Sequence, residues 1–124
     1  MTPDETVAAF IRAIEGKDLD AAMALAADDI EYDNVPMDTA HGAEATRTLL
    51  ESFVAMSDEI AWEIHHQVAT GDVVMNERTD RFRSGDRWLE IPVAGVWEVH
   101  DGRITLWRDY FDLDSMMKQM SGEG

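Results

Sequence analysis

The sequence predicts an α+β fold in which a curved sheet wraps helices on one face. Three observations carry this. Apolar residues recur with helical period through the amino-terminal third, and from about Glu59 the period changes to that of strands. The later strands are separated by Thr70-Gly71-Asp72, Ser84-Gly85-Asp86 and Asp101-Gly102, turn sequences that join neighbours into an antiparallel meander. With 124 residues, 45% of them hydrophobic, the chain is long enough to build one core and is expected to form one domain over 1–124.

Thr2 with Glu5 fits a capping box, Pro3 suits the first helical position, and Val7, Phe10, Ile11 and Ile14 share one face until Gly16 stops the helix. A second helix can start at Asp18 and run through Ala26, where Asp28 and Asp29 are unfavourable at a carboxyl end. Ile30 to Val35 alternates like a strand before Pro36 breaks it. A third helix is expected from about Gly42 to Met56, with Thr46, Leu49, Leu50, Phe53 and Met56 inward. The meander comprises Ile60–Ala69, Val73–Arg83, Arg87–Val99 and Arg103–Asp112. A terminal helix from Asp114 to Met120 would be capped by Asp112 or Asp114.

Charge and composition narrow the function. The chain carries 26 Asp and Glu against 10 Lys and Arg, a formal net charge of -16. That excess repels phosphate backbones and anionic lipid heads, and no basic face offsets it, so neither a nucleic-acid nor a membrane partner is expected. The absence of cysteine removes disulfides, thiolate catalysis and Cys-ligated metals. With no apolar run of membrane-spanning length and no basic, apolar leader, a soluble cytoplasmic protein is expected.

Strand alternation sorts the polar residues by face. Val74, Asn76, Arg78, Asp80 and Phe82 fall together, as do Thr105, Trp107, Asp109 and Phe111, and Ile30, Tyr32 and Asn34. Arg78 and Asp80 alone also fit a surface ion pair. Asp109 does not fit the surface, because turning it outward would expose Trp107 and Phe111. The opposite face of that strand, Ile104, Leu106, Arg108 and Tyr110, is also largely apolar, and Ile91 to Trp97 runs apolar without alternation. Burial of both sheet faces is therefore expected, by a homodimer packing sheet against sheet or else by the protomer's own helices.

If the three polar faces converge, two carboxylates share one guanidinium in a poorly solvated site. The cheapest state keeps one carboxyl protonated while Arg78 stabilises the other. The pocket would then hold a general acid and a general base, suited to a concerted, water-using reaction across an oxygen-containing ring, with Tyr32 and Asn34 able to hold a water. Which aspartate is the acid stays open on these grounds.

The strings Tyr32-Asp33-Asn34-Val35-Pro36, Glu77-Arg78-Thr79-Asp80 and Trp107-Arg108-Asp109-Tyr110-Phe111-Asp112-Leu113 resemble limonene-1,2-epoxide hydrolase, within the nuclear transport factor 2-like, SnoaL-like superfamily. The resemblance covers nearly the whole chain, which is short at its amino terminus for that family. It implies a cone-shaped α+β fold, with a curved mixed β-sheet wrapping three N-terminal helices, and a one-step hydrolysis of a small lipophilic epoxide, cyclic or terpenoid, to a vicinal diol. By that resemblance Asp109 is the base acting on a water held by Tyr32 and Asn34, Asp80 is the acid, and Arg78 bridges the two. No cofactor and no metal are implied.

The same fold also hosts isomerases, dehydratases and polyketide cyclases, and a non-catalytic module for apolar ligands would suit such a pocket. Both alternatives leave the Arg-x-Asp pairing with a second Asp without a task. His65 and His66 are expected on opposite faces of a strand and so unable to chelate together, and His41 and His100 fall in loop or strand-end positions. Arg81, Arg83 and Arg87 read as a solvated hairpin tip. Most methionines read as core, with Met116, Met117 and Met120 at a pocket mouth or interface.

Overall fold

The first helix starts where local chemistry says it should. The Thr2 hydroxyl accepts from the Glu5 amide, the Glu5 carboxylate accepts from the Thr2 amide, and α1 runs Pro3–Glu15 with Val7, Phe10, Ile11 and Ile14 buried. These details come from a computed structural model that describes residues 1–122; positions 123 and 124 of the expected domain lie outside the described residues.

Helix α2, Leu19–Ala24, is capped by the Asp18 side chain on the Ala21 amide but stops two residues earlier than expected. Pairing with a distant strand decides the end point. Leu25 accepts a hydrogen bond from the Ile104 amide at 2.8 Å, and Ala26 already stands opposite Ile104, so strand β1 spans Ala26–Asn34. A short strand that the sequence pattern does not announce, β2 at Thr39–His41, pairs with β1 through Tyr32 and Ala40. Helix α3 covers Ala43–Ala55, with Thr46 and Leu50 buried. Leu49 and Phe53 are only half-buried and Met56 is exposed, because this side of the helix faces a cavity.

The meander follows as β3 (Glu59–Thr70), β4 (Val73–Ser84), β5 (Arg87–His100) and β6 (Arg103–Tyr110). Asp101 and Gly102 both take positive φ, 53° and 75°, the geometry of a tight hairpin that matches strand twist. Strand β6 ends before Asp112, which instead caps α4 (Leu113–Ser121) by accepting from the Asp114 amide. The sheet order is β2-β1-β6-β5-β4-β3, and the β1–β6 pair is parallel, so the sheet is mixed.

Two bulges change which residues face inward. An irregularity between Glu98 and Val99 lets Ile104 pair with Val99. Ile104 is therefore fully buried beside Trp107, and Thr105, expected on the inner face, is only half-buried. A second bulge lies between Ile64 and His66 on β3.

Across three adjacent strands Tyr32, Trp107 and Trp97 stand opposite one another and stack, at centroid distances of 3.7 and 4.9 Å with 8° between ring planes in each pair. Phe10 of α1 meets both tryptophans edge-on, which ties the helical layer to the sheet. The outer sheet face is not covered within the chain: Val68, Met75, Pro92, Ala94 and Tyr110 are exposed. The expected burial of both faces is thus absent in the single chain, because all four helices leave that side open.

Candidate active site

Strand β4 places Asn76, Arg78 and Asp80 on the inner face by simple alternation, and β6 and β1 bring Asp109 and Asn34 opposite each other in register. Arg78 is 1% exposed and spans the two carboxylates. Its Nε and Nη2 donate to Asp80 Oδ1 and Oδ2, both at 2.9 Å, while Nη2 and Nη1 donate to Asp109 Oδ2 and Oδ1 at 2.9 and 3.2 Å. Bidentate geometry of this kind is the strong form of a charged hydrogen bond. Asp109 is fixed further by the Trp107 indole, whose N–H donates to Oδ1 at 2.9 Å.

The carboxylates form the floor of a cavity of about 900 Å³. Tyr32 and Asn34 line it beside them, so all four side chains that the sequence singles out for direct contact meet at one cavity, with Arg78 beneath. The walls are mostly apolar, with Leu49, Phe53, Trp62, Phe82, Ile91 and Met116 among them, and Thr48 and Ser52 add hydroxyls. Met116 and Met120 line the cavity and Met117 does not, and the expectation that most methionines are core is corrected: Met37, Met56, Met75, Met117 and Met120 are exposed, several of them at the cavity.

Electrostatics differentiate the groups. Burial pushes the Asp80 carboxyl up to about 6 against the opposing pull of Arg78, with further upward pressure from Asp109 and Glu15. Burial and the neighbouring Asp109 charge likewise hold the Tyr32 hydroxyl well above the usual phenol range, so it stays a donor. Although burial alone would depress Arg78, its two carboxylates outweigh that and keep it charged.

Three contributors lie outside the sequence-based assignment. Asn76 accepts from Arg78, the Trp107 indole donates to Asp109, and the Trp97 indole donates to Asn76. Alternation already put Asn76 on the right face, but nothing local separated it from a packing amide. Gly95 stands between Asn76 and Asp109 in register, and an added Cβ there would come within 2.5 Å of Arg78 Nη1 and 2.7 Å of Asn76 Oδ1. That need becomes legible only once the strands are aligned.

The histidine expectation is corrected. The bulge at Ile64/His66 inserts an extra residue, so His65 and His66 do not alternate: His65 meets the Thr79 hydroxyl at 2.8 Å and His66 approaches Glu77 at 3.9 Å, both on the outer face. Among the described residues no group of three or more His, Asp and Glu is placed to hold a metal ion. His41 and His100 end β2 and β5. The hairpin-tip arginines are more engaged than a solvated tip implies, Arg81 with Glu63 and Glu90, Arg83 with Glu59, and Arg87 with the Gln119 carbonyl. Among the described residues no helix is long and apolar enough to cross a membrane.

A mixed, curled open sheet packed against helices, with polar groups at the floor of the cavity it holds, defines a nuclear transport factor 2-like protein. An NTF2-like protein from Cytophaga hutchinsonii overlays with a TM-score of 0.80 at 20% identity, covering 94% of this chain and 96% of that one. The family model described as limonene-1,2-epoxide hydrolase catalytic domain matches residues 1–122, and the chain belongs to that family. It is 42% identical over 114 residues to epoxide hydrolase EphG of Mycobacterium tuberculosis, spanning 90% of this chain and 74% of the relative. The solved structure of an M. tuberculosis LEH-like epoxide hydrolase matches with a TM-score of 0.84 and 39% identity, over 96% of this chain and 89% of that one.

Proposed function

We propose that the protein hydrolyses small lipophilic epoxides, cyclic or terpenoid and of the limonene-1,2-epoxide kind, to vicinal diols in one step without a covalent intermediate. The observation that carries this reading is the Arg78 bridge between two buried carboxyls at the floor of an apolar cavity. Asp109 takes a proton from a water held by Tyr32 and Asn34. The water oxygen bonds to a ring carbon as that carbon's bond to the epoxide oxygen breaks, and Asp80 delivers its proton to the departing oxygen. One water is consumed, and moving the proton from Asp109 to Asp80 through solvent restores the starting state. No cofactor enters. A cavity of about 900 Å³ lies within the range used for drug-sized ligands, and its methionine-rich wall suits substrates of varied shape.

The test is diol formation from a panel of cyclic and terpenoid epoxides. Asp80→Ala and Asp109→Ala are each expected to lower turnover by at least the roughly hundred- to ten-thousand-fold typical of a positioned acid or base, with the fold intact. In a single turnover in oxygen-18 water the label should enter the first diol. Label retained first in the protein, or diol formation by either variant at the wild-type rate, overturns the mechanism.

The working unit in this reading is a homodimer packed through the outer sheet face. Its support is the exposed apolar pair Val68–Met75 beside the half-buried Val96, with Arg108 next in that row and Ala94 and Tyr110 flanked by Glu77 in the adjoining one.

A further inference from the structure

A guanidinium has five N–H donors and no acceptor. The two carboxylates of the site engage four of those of Arg78, and the fifth, on Nη1, goes to Asn76 Oδ1 at 2.9 Å. The same oxygen accepts from Trp97 Nε1 at 3.2 Å. Guanidinium and indole can only donate, so the Asn76 amide has one permitted orientation, with Nδ2 turned away. That group donates to Gln67 Oε1 at 3.1 Å, and Gln67 Nε2 donates to the Asp4 carbonyl at 3.0 Å, in the first turn of α1. The chain of amides runs from a helix to the guanidinium without touching the cavity, since Asn76 lies outside its lining. Gly95 leaves room for it, because a Cβ there would collide with Arg78 Nη1 and Asn76 Oδ1.

We infer that Asn76 is a positioning residue for the reaction: by taking the fifth N–H of Arg78, and being itself anchored through Gln67 to α1, it fixes the guanidinium in the one rotation that serves both aspartates at once. The inference rests on the acid–base reading of Asp80 and Asp109. It also explains the residue type. An apolar side chain would leave Arg78 Nη1 and the Trp97 indole each short of an acceptor. A third carboxylate would satisfy both donors but load more negative charge on a guanidinium already facing Asp80 and Asp109, near Tyr32 and Glu15.

The two replacements separate positioning from packing. With limonene-1,2-epoxide as probe, Asn76→Leu should lower kcat by about ten- to a hundredfold with KM within about twofold, because the substrate wall is untouched. Asn76→Asp keeps its shape and both acceptor bonds while giving up the donor to Gln67 Oε1, and its added charge should raise the Asp80 carboxyl further and move the falling limb of the kcat/KM profile upward by about one unit. A purely structural role would lower melting temperature in Asn76→Leu and leave its kcat in place. An unmoved profile in Asn76→Asp, or wild-type kcat in Asn76→Leu, overturns the inference. If Asn76→Leu does not fold, the isosteric aspartate and a measurement on the wild type decide: nitrogen-15 spectra should show the Arg78 Nη1 protons as separate, slowly exchanging signals, and rotational averaging there overturns the inference as well. Asp80→Asn and Asp109→Asn run alongside. Wild-type turnover in those variants would refute the acid–base reading, whereas their inactivity together with an unmoved Asn76→Asp profile would refute the positioning role alone.

Discussion

Asp80 is the residue at which charge, burial and the proposed reaction meet. Its carboxyl lies near the ordinary value of 3.8 in the unfolded chain and is raised to about 6 in the fold, chiefly by burial. Between those values the native protein binds more protons at this position than the unfolded one, so its contribution to stability is complete below the lower value and is lost as pH rises through the upper. Urea midpoints measured across this range should therefore show the wild type losing stability with rising pH relative to Asp80→Asn, whose side chain cannot ionise. Two parallel curves would mean that Asp80 does not retain its proton. In the proposed mechanism the protonated form is the acid, so kcat/KM for the free enzyme should also fall as pH rises through about 6. Tyr32, which lines the same cavity, is held as a phenol by burial and by the Asp109 charge.

At the scale of elements, the site belongs to the junction of three strands, where Asn76, Gly95 and Asp109 stand in consecutive register on β4, β5 and β6. Gly95→Ala would place a methyl within 2.5 to 3.0 Å of Arg78, Asn76 and Asp109, all held by mutual hydrogen bonds. We expect a stability loss of about 1–3 kcal/mol, as for an overpacked core, and a turnover loss on the order of a hundredfold, read by chemical denaturation and diol assay. Unchanged activity would show that the network yields without cost. Sequence reading reaches some of this junction and not the rest, for physical reasons. Helix α1 and the inner face of β4 are legible because their signals are local: a capping box, Pro3 and Gly16 for the one, strict alternation from Val74 to Phe82 for the other. The early end of α2 is not, because Ala26 is drawn into the sheet by Ile104, nearly eighty positions away. Strand β2 is too short to show a period. The bulges at Ile64/His66 and Glu98/Val99 reverse the facing of residues beyond them, which is why the histidine pair and Thr105 were misplaced by alternation. Gly95 has an ordinary sequence context, and its role depends on register alone.

The whole molecule has one polar coat and one uncovered sheet. Helices close the inner face, while the outer face leaves Val68 67% and Met75 52% exposed in an apolar row that Val96 continues. A stable dimer typically buries roughly 800 Å² per protomer. Each protomer also carries a net charge of -16, so two copies repel as they approach. Salt should therefore tighten the assembly by screening that repulsion, the reverse of its effect on an interface held by ion pairs. Sedimentation of the wild type is expected to give twice the chain mass, with dissociation on dilution at low ionic strength and recovery when salt is added. Met75→Glu adds a buried charge to each side of the proposed contact and should yield monomer under the same conditions, with far-ultraviolet circular dichroism unchanged. A wild-type monomer at all concentrations, or a Met75→Glu protein that still sediments as a dimer, would remove the sheet-to-sheet arrangement.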